Sequence, residues 1–348
     1  MRSIIYHRYG EPADVLQLTE APNLPAPGKD EVLIRATSRP VHPGDLIGIR
    51  GLYRAPGNTS PLGPDGARPG FEGAGVVEAV GAGIEPASGL LPGARVAFFP
   101  ARWAWGDKVL AQARFVTPIP DDISDAFADP LHVNPLTAAL LVRAVEKAGI
   151  AEASGDVIVL TAAGSAVAKP TTTLLLRKGL SPIGIVRSSS RTIPPMSDVV
   201  EMPMISTDDP NWREQLRHAT KGRPIRAVLD AVGGELGSVL ASRMGEGGTL
   251  ISYGDLSGQT INIPALAFSV RGLSITGVSV GSWGSPPDHV RALDMATSLK
   301  LARTDADLFD VATEYDLAEV TQAVRHAERP GKARTVLLTS GAKIGTMT

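Results

Sequence analysis

A basic, hydroxyl-rich run follows a predicted buried strand at Pro182–Val186. It reads Arg187-Ser188-Ser189-Ser190-Arg191 and offers two guanidinium groups, three hydroxyls and no carboxylate. Guanidinium groups bind phosphate through charge-assisted hydrogen bonds, whereas a carboxylate would repel it. In dinucleotide-binding folds, the residues after the second strand contact the ribose. The run therefore favours NADPH over NADH as cofactor, with an ordinary solvated basic loop as the alternative.

A glycine- and alanine-rich turn precedes that run and follows the apolar strand Asp156–Leu160. The turn reads Thr161-Ala162-Ala163-Gly164-Ser165-Ala166-Val167-Ala168 and leads into a predicted helix. Backbone N–H groups at the start of such a helix can bind a pyrophosphate. Alanines replace two of the expected glycines, so a degenerate turn that binds no nucleotide is the alternative. The predicted cofactor contacts in this turn are Gly164, Ser165, Ala166 and Val167.

The composition excludes several kinds of site. The 348 residues contain no cysteine, which excludes disulfides and cysteine-bound zinc, and we expect no bound metal. A net charge of −2, with basic residues spread thinly, gives no indication of a nucleic-acid or membrane partner. No apolar run approaches the roughly 18 residues that span a bilayer, and the first residues do not resemble a signal peptide. We therefore expect a cytoplasmic protein that acts on small molecules.

The order of predicted elements indicates a mixed α/β protein. Up to about residue 126, short apolar runs broken by Pro and Gly predict an irregular β domain. From residue 127 to 275, buried strands alternate with helices, which is typical of a parallel, doubly wound sheet. Residues 276–348 add a strand, a helix and a final strand. The main predicted strands are Glu31–Ala36, Gly75–Val80, Ala94–Phe99, Lys108–Val116, Ile225–Asp230, Gly248–Tyr253 and Leu273–Val280.

The segment Pro69-Gly70-Phe71-Glu72-Gly73-Ala74-Gly75-Val76-Val77 resembles the GHE-G-x-G-x-V signature of the medium-chain dehydrogenase/reductase superfamily. Phe71 stands where the zinc-dependent members carry a metal-binding His, and a phenyl ring has no lone pair for a metal. The resemblance therefore implies the zinc-free branch, which contains quinone, enone and enoyl-thioester reductases. It extends over almost the whole chain and implies a GroES-like β domain plus a Rossmann domain, with a C-terminal return to the first domain.

Resemblance to this branch also implies a catalytic residue. Tyr53 falls where enoyl-thioester reductases carry their essential tyrosine. Reduction of a C=C bond conjugated to a carbonyl builds negative charge on the carbonyl oxygen, and a phenol can donate a hydrogen bond or a proton there. Packing alone is the alternative for Tyr53. His42 replaces the Asn of the branch's N-P-x-D stretch and is a candidate substrate contact, with a structural hydrogen bond as the alternative.

The other residues that the resemblance implies fall into two sets. Large aromatic side chains would line the substrate pocket, with packing as the alternative: Trp103, Trp105 and Trp283. Further residues would contact the cofactor: Thr137 in the N-P-x-T-A stretch, Gly233 in the D-x-V-G-G stretch, Tyr253, Val278 and Lys332.

Together these patterns predict an NADPH-dependent reductase of activated C=C bonds, in enones or 2-enoyl thioesters, that transfers hydride without a metal. Two alternatives stay open: an NADPH:quinone oxidoreductase and a non-catalytic NADPH-binding protein. The apolar strand Leu273–Val280 is expected at an edge of the Rossmann sheet. Because unpaired apolar edges tend to be covered, and because the resemblance supports a two-fold pairing there, we expect a homodimer.

Overall fold

The computed structural model describes residues 1–54, 60–123, 130–151, 155–180, 182–188, 202–309, 311–329 and 335–340. The chain forms two compact units. The first unit comprises residues 1–133 and 284–348, and the second comprises residues 134–283. No helix within the described ranges is long and apolar enough to cross a membrane.

The first unit consists mainly of strands. These are β1 (Arg2–Ile5), β2 (Gln17–Glu20), β3 (Glu31–Pro40), β4 (Gly73–Val80), β5 (Arg95–Phe98), β6 (Lys108–Gln112), β7 (Val116–Pro118), β14 (Val311–Asp316) and β15 (Thr335–Thr339). Its helices are α1 (Pro12–Val15), α2 (Pro43–Ile49), α8 (Asp288–Thr304) and α9 (Val320–Glu328). The main sheet has the order β14-β15-β3-β4-β5-β7, and β6 pairs with β3. All its pairs are antiparallel except β14 with β15.

Strand β3 shows why this part of the chain forms a sheet with one buried face. Val32, Ile34 and Ala36 are buried, whereas the residues between them are partly or fully exposed. This alternation matches the two-residue period of a strand. The predicted run Lys108–Val116 forms two strands, because β6 pairs with β3 whereas β7 pairs with β5.

The second unit alternates strands and helices. Its strands are β8 (Val157–Leu160), β9 (Ile183–Val186), β10 (Met204–Ser206), β11 (Ile225–Asp230), β12 (Met244–Ser252) and β13 (Ser274–Gly277). The helices that contribute to it are α3 (Val133–Lys147), α4 (Ala168–Leu176), α5 (Trp212–Thr220), α6 (Gly234–Arg243) and α7 (Ala265–Ser269).

The six strands of the second unit are parallel and have the order β10-β9-β8-β11-β12-β13. This is the doubly wound Rossmann order. Successive strands are added on one side of β8 as far as β10, and then on its other side from β11 onward, so the strand order reverses between β8 and β11. All four residues of β8 are buried, as expected for a strand covered on both faces. The predicted fold class is therefore confirmed. Strand β13 lies at the sheet edge, and all four of its residues are exposed.

Candidate functional site

In the second unit, one threonine–aspartate pair ties two neighbouring strands together at their carboxyl ends. Thr161 follows β8, Asp230 ends β11, and both are fully buried. The Thr161 hydroxyl donates to Asp230 Oδ1 at 2.7 Å and accepts from the Ala231 N–H at 2.9 Å. Asp230 also accepts from the N–H groups of Val232 at 3.0 Å and Gly233 at 3.1 Å. The network fixes the loop after β11 where the strand order reverses, the point at which such sheets bind ligands.

The turn between β8 and α4 contains the four predicted contacts Gly164–Val167, all of them half-buried. The Ser165 hydroxyl accepts from the Ala168 N–H at 3.2 Å and so closes the first turn of α4. Ala168 is fully buried in the apolar core of this unit. The methyl group that replaces a glycine hydrogen there is therefore accommodated by core packing.

Two glycines and a tyrosine complete this edge of the sheet. At the start of α6, φ is +73° at Gly233 and +58° at Gly234, which is the left-handed region that suits glycine. Tyr253 follows β12, and its backbone N–H donates to the Asp230 carbonyl at 2.9 Å. Burial and the Asp230 carboxylate raise the pKa of Tyr253. The structure thus brings Gly233 and Tyr253 together around Asp230.

Three further predicted residues of the second unit are wholly or largely buried. Thr137 is the fifth residue of α3 and is buried. Val278 follows β13 and packs with Tyr253 against the same apolar core as Ala168. Trp283, near the end of the unit, is only 2% exposed, and burial of this kind agrees with the packing alternative.

Arg187 follows β9 directly, and its side chain is exposed. Its backbone carbonyl accepts from the Ser206 hydroxyl at 3.0 Å, which ties the backbone of Arg187 to β10. Within the part of the chain that the structure describes, no carboxylate pairs with the Arg187 guanidinium. Ser188 comes next and is half-buried. Two predicted contacts lie outside the described residues: Arg191 and Lys332.

In the first unit, His42 and Glu72 form a buried pair at the start of α2. His42 is the capping residue before that helix. Its Nε2 atom hydrogen-bonds to Glu72 Oε2, and Glu72 Oε1 accepts from the N–H groups of His132 and Val133, each at 2.8 Å. His42 therefore makes a structural hydrogen bond, with Glu72 as the partner. Sequence patterns did not select Glu72, although a carboxylate inside a glycine-rich apolar run was a usable signal.

Phe71 and Asp45 surround this pair. The Phe71 ring stacks on the His42 ring, with centroids 5.7 Å apart and an interplanar angle of 8°. Asp45, in the first turn of α2, accepts from the His42 backbone N–H at 3.0 Å. Burial is the main cause that raises the pKa of Asp45 to about 7; the Glu72 carboxylate also raises it, whereas His42 lowers it. The cluster thus contains a carboxyl group that titrates near neutral pH.

Tyr53 lies over α2, with its hydroxyl next to Gly44. The residue is 70% exposed. A β-carbon on Gly44 would lie 3.2 Å from Tyr53 Oη and 3.3 Å from Phe71 Cζ, so the hydroxyl and the phenyl ring both lie close to this glycine. Partial burial and the Asp45 carboxylate raise the pKa of Tyr53. The hydroxyl therefore keeps its proton at neutral pH and is available as a donor.

The two tryptophans of the 103–105 segment are placed differently. Trp103 is 50% exposed, and the Arg68 guanidinium lies 5.4 Å from its ring centroid. Trp105 is 1% exposed and belongs to an apolar core with Leu46 and Ile49. Trp105 is therefore a core residue, and of the two only Trp103 has a surface to offer a ligand.

Among the described residues, no group of three or more His, Asp or Glu side chains is arranged to hold a metal. The histidine and carboxylates around α2 are instead bonded to one another and to backbone N–H groups. These contacts use His42 Nε2 and three of the four carboxylate oxygens of Asp45 and Glu72 within the protein.

The chain is similar to a GroES-like domain family in its first unit and to reductases over most of its length. Residues 28–121 match the alcohol dehydrogenase GroES-like domain family. The mitochondrial enoyl-[acyl-carrier-protein] reductase of Xenopus tropicalis is 25% identical over 97% of this chain and 95% of its own length. The Caenorhabditis elegans protein of the same name is 28% identical over 81% of this chain and 78% of its own. The structure of a Bacillus thuringiensis protein assigned as an NADPH:quinone reductase is 28% identical, with a TM-score of 0.83, over 98% of this chain and 99% of its own.

A GroES-like unit completed by a C-terminal return, together with a Rossmann unit, is the architecture of the medium-chain dehydrogenase/reductase superfamily. The GroES-like domain match and the full-length similarities support a place in the zinc-free branch of this superfamily. Phe71 at the position of the metal-binding His agrees with that assignment.

Proposed function

We propose that the protein is an NADPH-dependent reductase of activated C=C bonds, in 2-enoyl thioesters or enones, that transfers hydride without a metal. The full-length similarity to enoyl-[acyl-carrier-protein] reductases supports this reaction class. The observation that carries the proposal is Tyr53: an exposed phenol, protonated at neutral pH, whose hydroxyl lies over Gly44 in α2.

The residues of the second unit fit NADPH. The sheet reverses its order between β8 and β11, and helix α4 begins directly after the turn at β8. Gly233 and Gly234, both at positive φ, shape the loop that follows β11. Arg187 presents a guanidinium without a carboxylate partner among the described residues, which suits the 2′-phosphate. The turn residues Gly164–Val167 would hold the pyrophosphate.

NADPH, when bound, supplies the hydride for the β-carbon of the substrate. Negative charge then builds on the carbonyl oxygen, and a positioned hydroxyl stabilises it. The Tyr53 hydroxyl donates a hydrogen bond to that oxygen or delivers a proton to the α-carbon. His42 is held by Glu72 and stacked on Phe71, so it shapes the wall beside Tyr53.

Quinone reduction is the second candidate, because the Bacillus thuringiensis protein named above is assigned to that activity and has the same fold over nearly its full length. The two activities share the cofactor and differ in the acceptor. A binding protein that holds NADPH without turnover is the remaining alternative.

The test is NADPH oxidation, followed by absorbance, across a panel of enones, quinones and crotonyl thioesters. Turnover of enones or crotonyl thioesters at rates well above those of quinones is expected. A preference for quinones would select the second candidate. Tight NADPH binding with no turnover of any acceptor would select the binding protein.

Replacing Arg187 with Ala should reduce the preference for NADPH over NADH. Each charge-assisted bond to the 2′-phosphate contributes roughly 1.5–3 kcal/mol, so the loss should be about tenfold or more. Dissociation constants for both cofactors, measured by fluorescence titration, give the ratio. Arg217→Ala, which removes an exposed guanidinium from α5, is the matched control. Equal wild-type affinity for the two cofactors would mean that the Arg187 loop is only a surface loop.

We also propose that the protein is a homodimer in the cytoplasm. The exposed edge strand β13 supports self-association: Ile275 is 49% exposed there, and an apolar edge tends to be covered. Light scattering at micromolar concentration should give twice the mass of the chain. Ile275→Lys should shift the protein toward monomer, whereas Leu293→Lys, at an exposed apolar residue of α8, should not. A monomeric wild type would exclude the dimer.

A further inference from the structure

We infer that Gly44 sets the position of the Tyr53 hydroxyl. Because Gly44 has no side chain, the hydroxyl can lie directly against the backbone of α2. The inference rests on the proposed function where it concerns turnover. It assigns a positioning residue that sequence patterns did not select.

The path of the chain brings Tyr53 back over α2. The helix ends at the capping residue Arg50, and Gly51 follows with φ of +77°. The Gly51 N–H donates to the Gly48 carbonyl at 2.9 Å, and the Leu52 N–H donates to the Ile47 carbonyl at 3.1 Å. This pair of bonds is a Schellman motif, which terminates a helix and reverses the chain. Residue 53 is therefore directed back along the helix that it follows.

Two glycines, one helical turn apart, leave room for the returning ring. A β-carbon on Gly48 would lie 3.7 Å from Tyr53 Cδ2, which is an ordinary contact. A β-carbon on Gly44 would lie 3.2 Å from Tyr53 Oη and 3.3 Å from Phe71 Cζ, which is tighter than normal packing. The hydroxyl end of the ring thus depends on the absence of a side chain at Gly44, whereas the ring itself tolerates a methyl group at Gly48.

The two neighbours of Gly44 differ in how freely they can move. Phe71 is stacked on His42 and contacts Phe99 edge-on at 6.0 Å. Tyr53 is largely exposed, so its side chain can move aside. A methyl group at Gly44 should therefore displace the Tyr53 hydroxyl by a few tenths of an ångström and leave Phe71 in place. Small displacements of a catalytic group cost rate, up to about a hundredfold for 1 Å.

The test compares Gly44→Ala with Gly48→Ala, which adds the same methyl group to the same helix and carries the same gain in helix propensity. The first readout is the titration of Tyr53 by NMR of ¹³C-tyrosine, with the resonance assigned through its loss in Tyr53→Phe. Gly44→Ala should lower the pKa of Tyr53 toward its ordinary value, because the hydroxyl moves out of its partly buried place. Gly48→Ala should not change that titration.

The second readout is turnover of the best acceptor. Gly44→Ala should lower kcat about tenfold in the wild-type background and have no further effect in Tyr53→Phe, which lacks the displaced atom. An unchanged Tyr53 titration in Gly44→Ala would overturn the inference. A second outcome is a shifted Tyr53 titration in Gly44→Ala with unchanged turnover in both Gly44→Ala and Tyr53→Phe. It would support the role of Gly44 in positioning the hydroxyl and refute the catalytic role of Tyr53. The experiment therefore distinguishes failure of this inference from failure of the proposed function.

Discussion

Replacement of Tyr53 by Phe is expected to lower turnover of enones or enoyl thioesters by about 10²–10³-fold and to leave NADPH affinity nearly unchanged. The change removes one hydroxyl and keeps the ring. The ring can therefore keep its place over Gly48, and only the oxygen near Gly44 is lost. Because the hydroxyl acts on charge that develops during hydride transfer, the loss should appear in the chemical step. Single-turnover kinetics with deuterated NADPH measure that step directly.

Two controls separate this role from packing. Tyr315→Phe removes a phenol that is hydrogen-bonded to His326 at 3.1 Å and takes no part in the proposed site; it should leave turnover unchanged. Quinones should be less affected by Tyr53→Phe, because water can protonate their reduced oxygen. Wild-type rates for Tyr53→Phe with enones, under conditions where hydride transfer limits the rate, would identify Tyr53 as a packing residue.

Replacement of Asp45 by Asn is expected to change how stability depends on pH. The pKa of Asp45 is about 7 in the folded protein, against an ordinary value of 3.8. Between these values the folded state holds a proton that the unfolded state has released, so stability falls as pH rises. About 3 pKa units correspond to about 4 kcal/mol. Relative to wild type, Asp45→Asn should therefore gain about that much from pH 4 to pH 7, measured by urea unfolding at each pH.

A second buried group, His132, should have the opposite effect on how stability depends on pH, so it serves as a comparison for Asp45. Burial lowers the pKa of His132 to about 4 from 6.5. The unfolded state then holds the extra proton between these values, so this group makes stability rise with pH. His132→Gln should therefore lose stability, relative to wild type, as pH rises over that interval. A difference between Asp45→Asn and wild type that stays constant from pH 4 to pH 7 would contradict the raised pKa.

Most of the fold could be predicted from local patterns. Strand β11 has the predicted bounds, and the buried apolar strands of the second unit were found because burial on both faces leaves runs without polar residues. The division of Lys108–Val116 into β6 and β7 could not be predicted. It depends on which partner each half pairs with, and that is a long-range property of the sheet.

The candidate site was only partly accessible to sequence reasoning. The exposed Arg187 and the glycine backbone at Gly233 follow from residue type and spacing. Burial of Trp105 and the bond between His42 and Glu72 do not, because they join segments far apart in the chain. The proximity of Tyr53 Oη to Gly44 depends on the direction in which the chain leaves α2, which backbone geometry determines.

Strand β15 pairs with β3 through Leu337 and Pro40, so one sheet joins chain segments that lie on either side of the second unit in the sequence. During synthesis from the N-terminus, β3 is made long before β15, because the whole second unit lies between them in the chain. The second unit is continuous in sequence, so all of its strands emerge earlier. An unpaired strand edge is a template for pairing with other chains. The nascent protein therefore carries an open edge in its first unit throughout synthesis of the second, and this interval is when chaperone protection matters most.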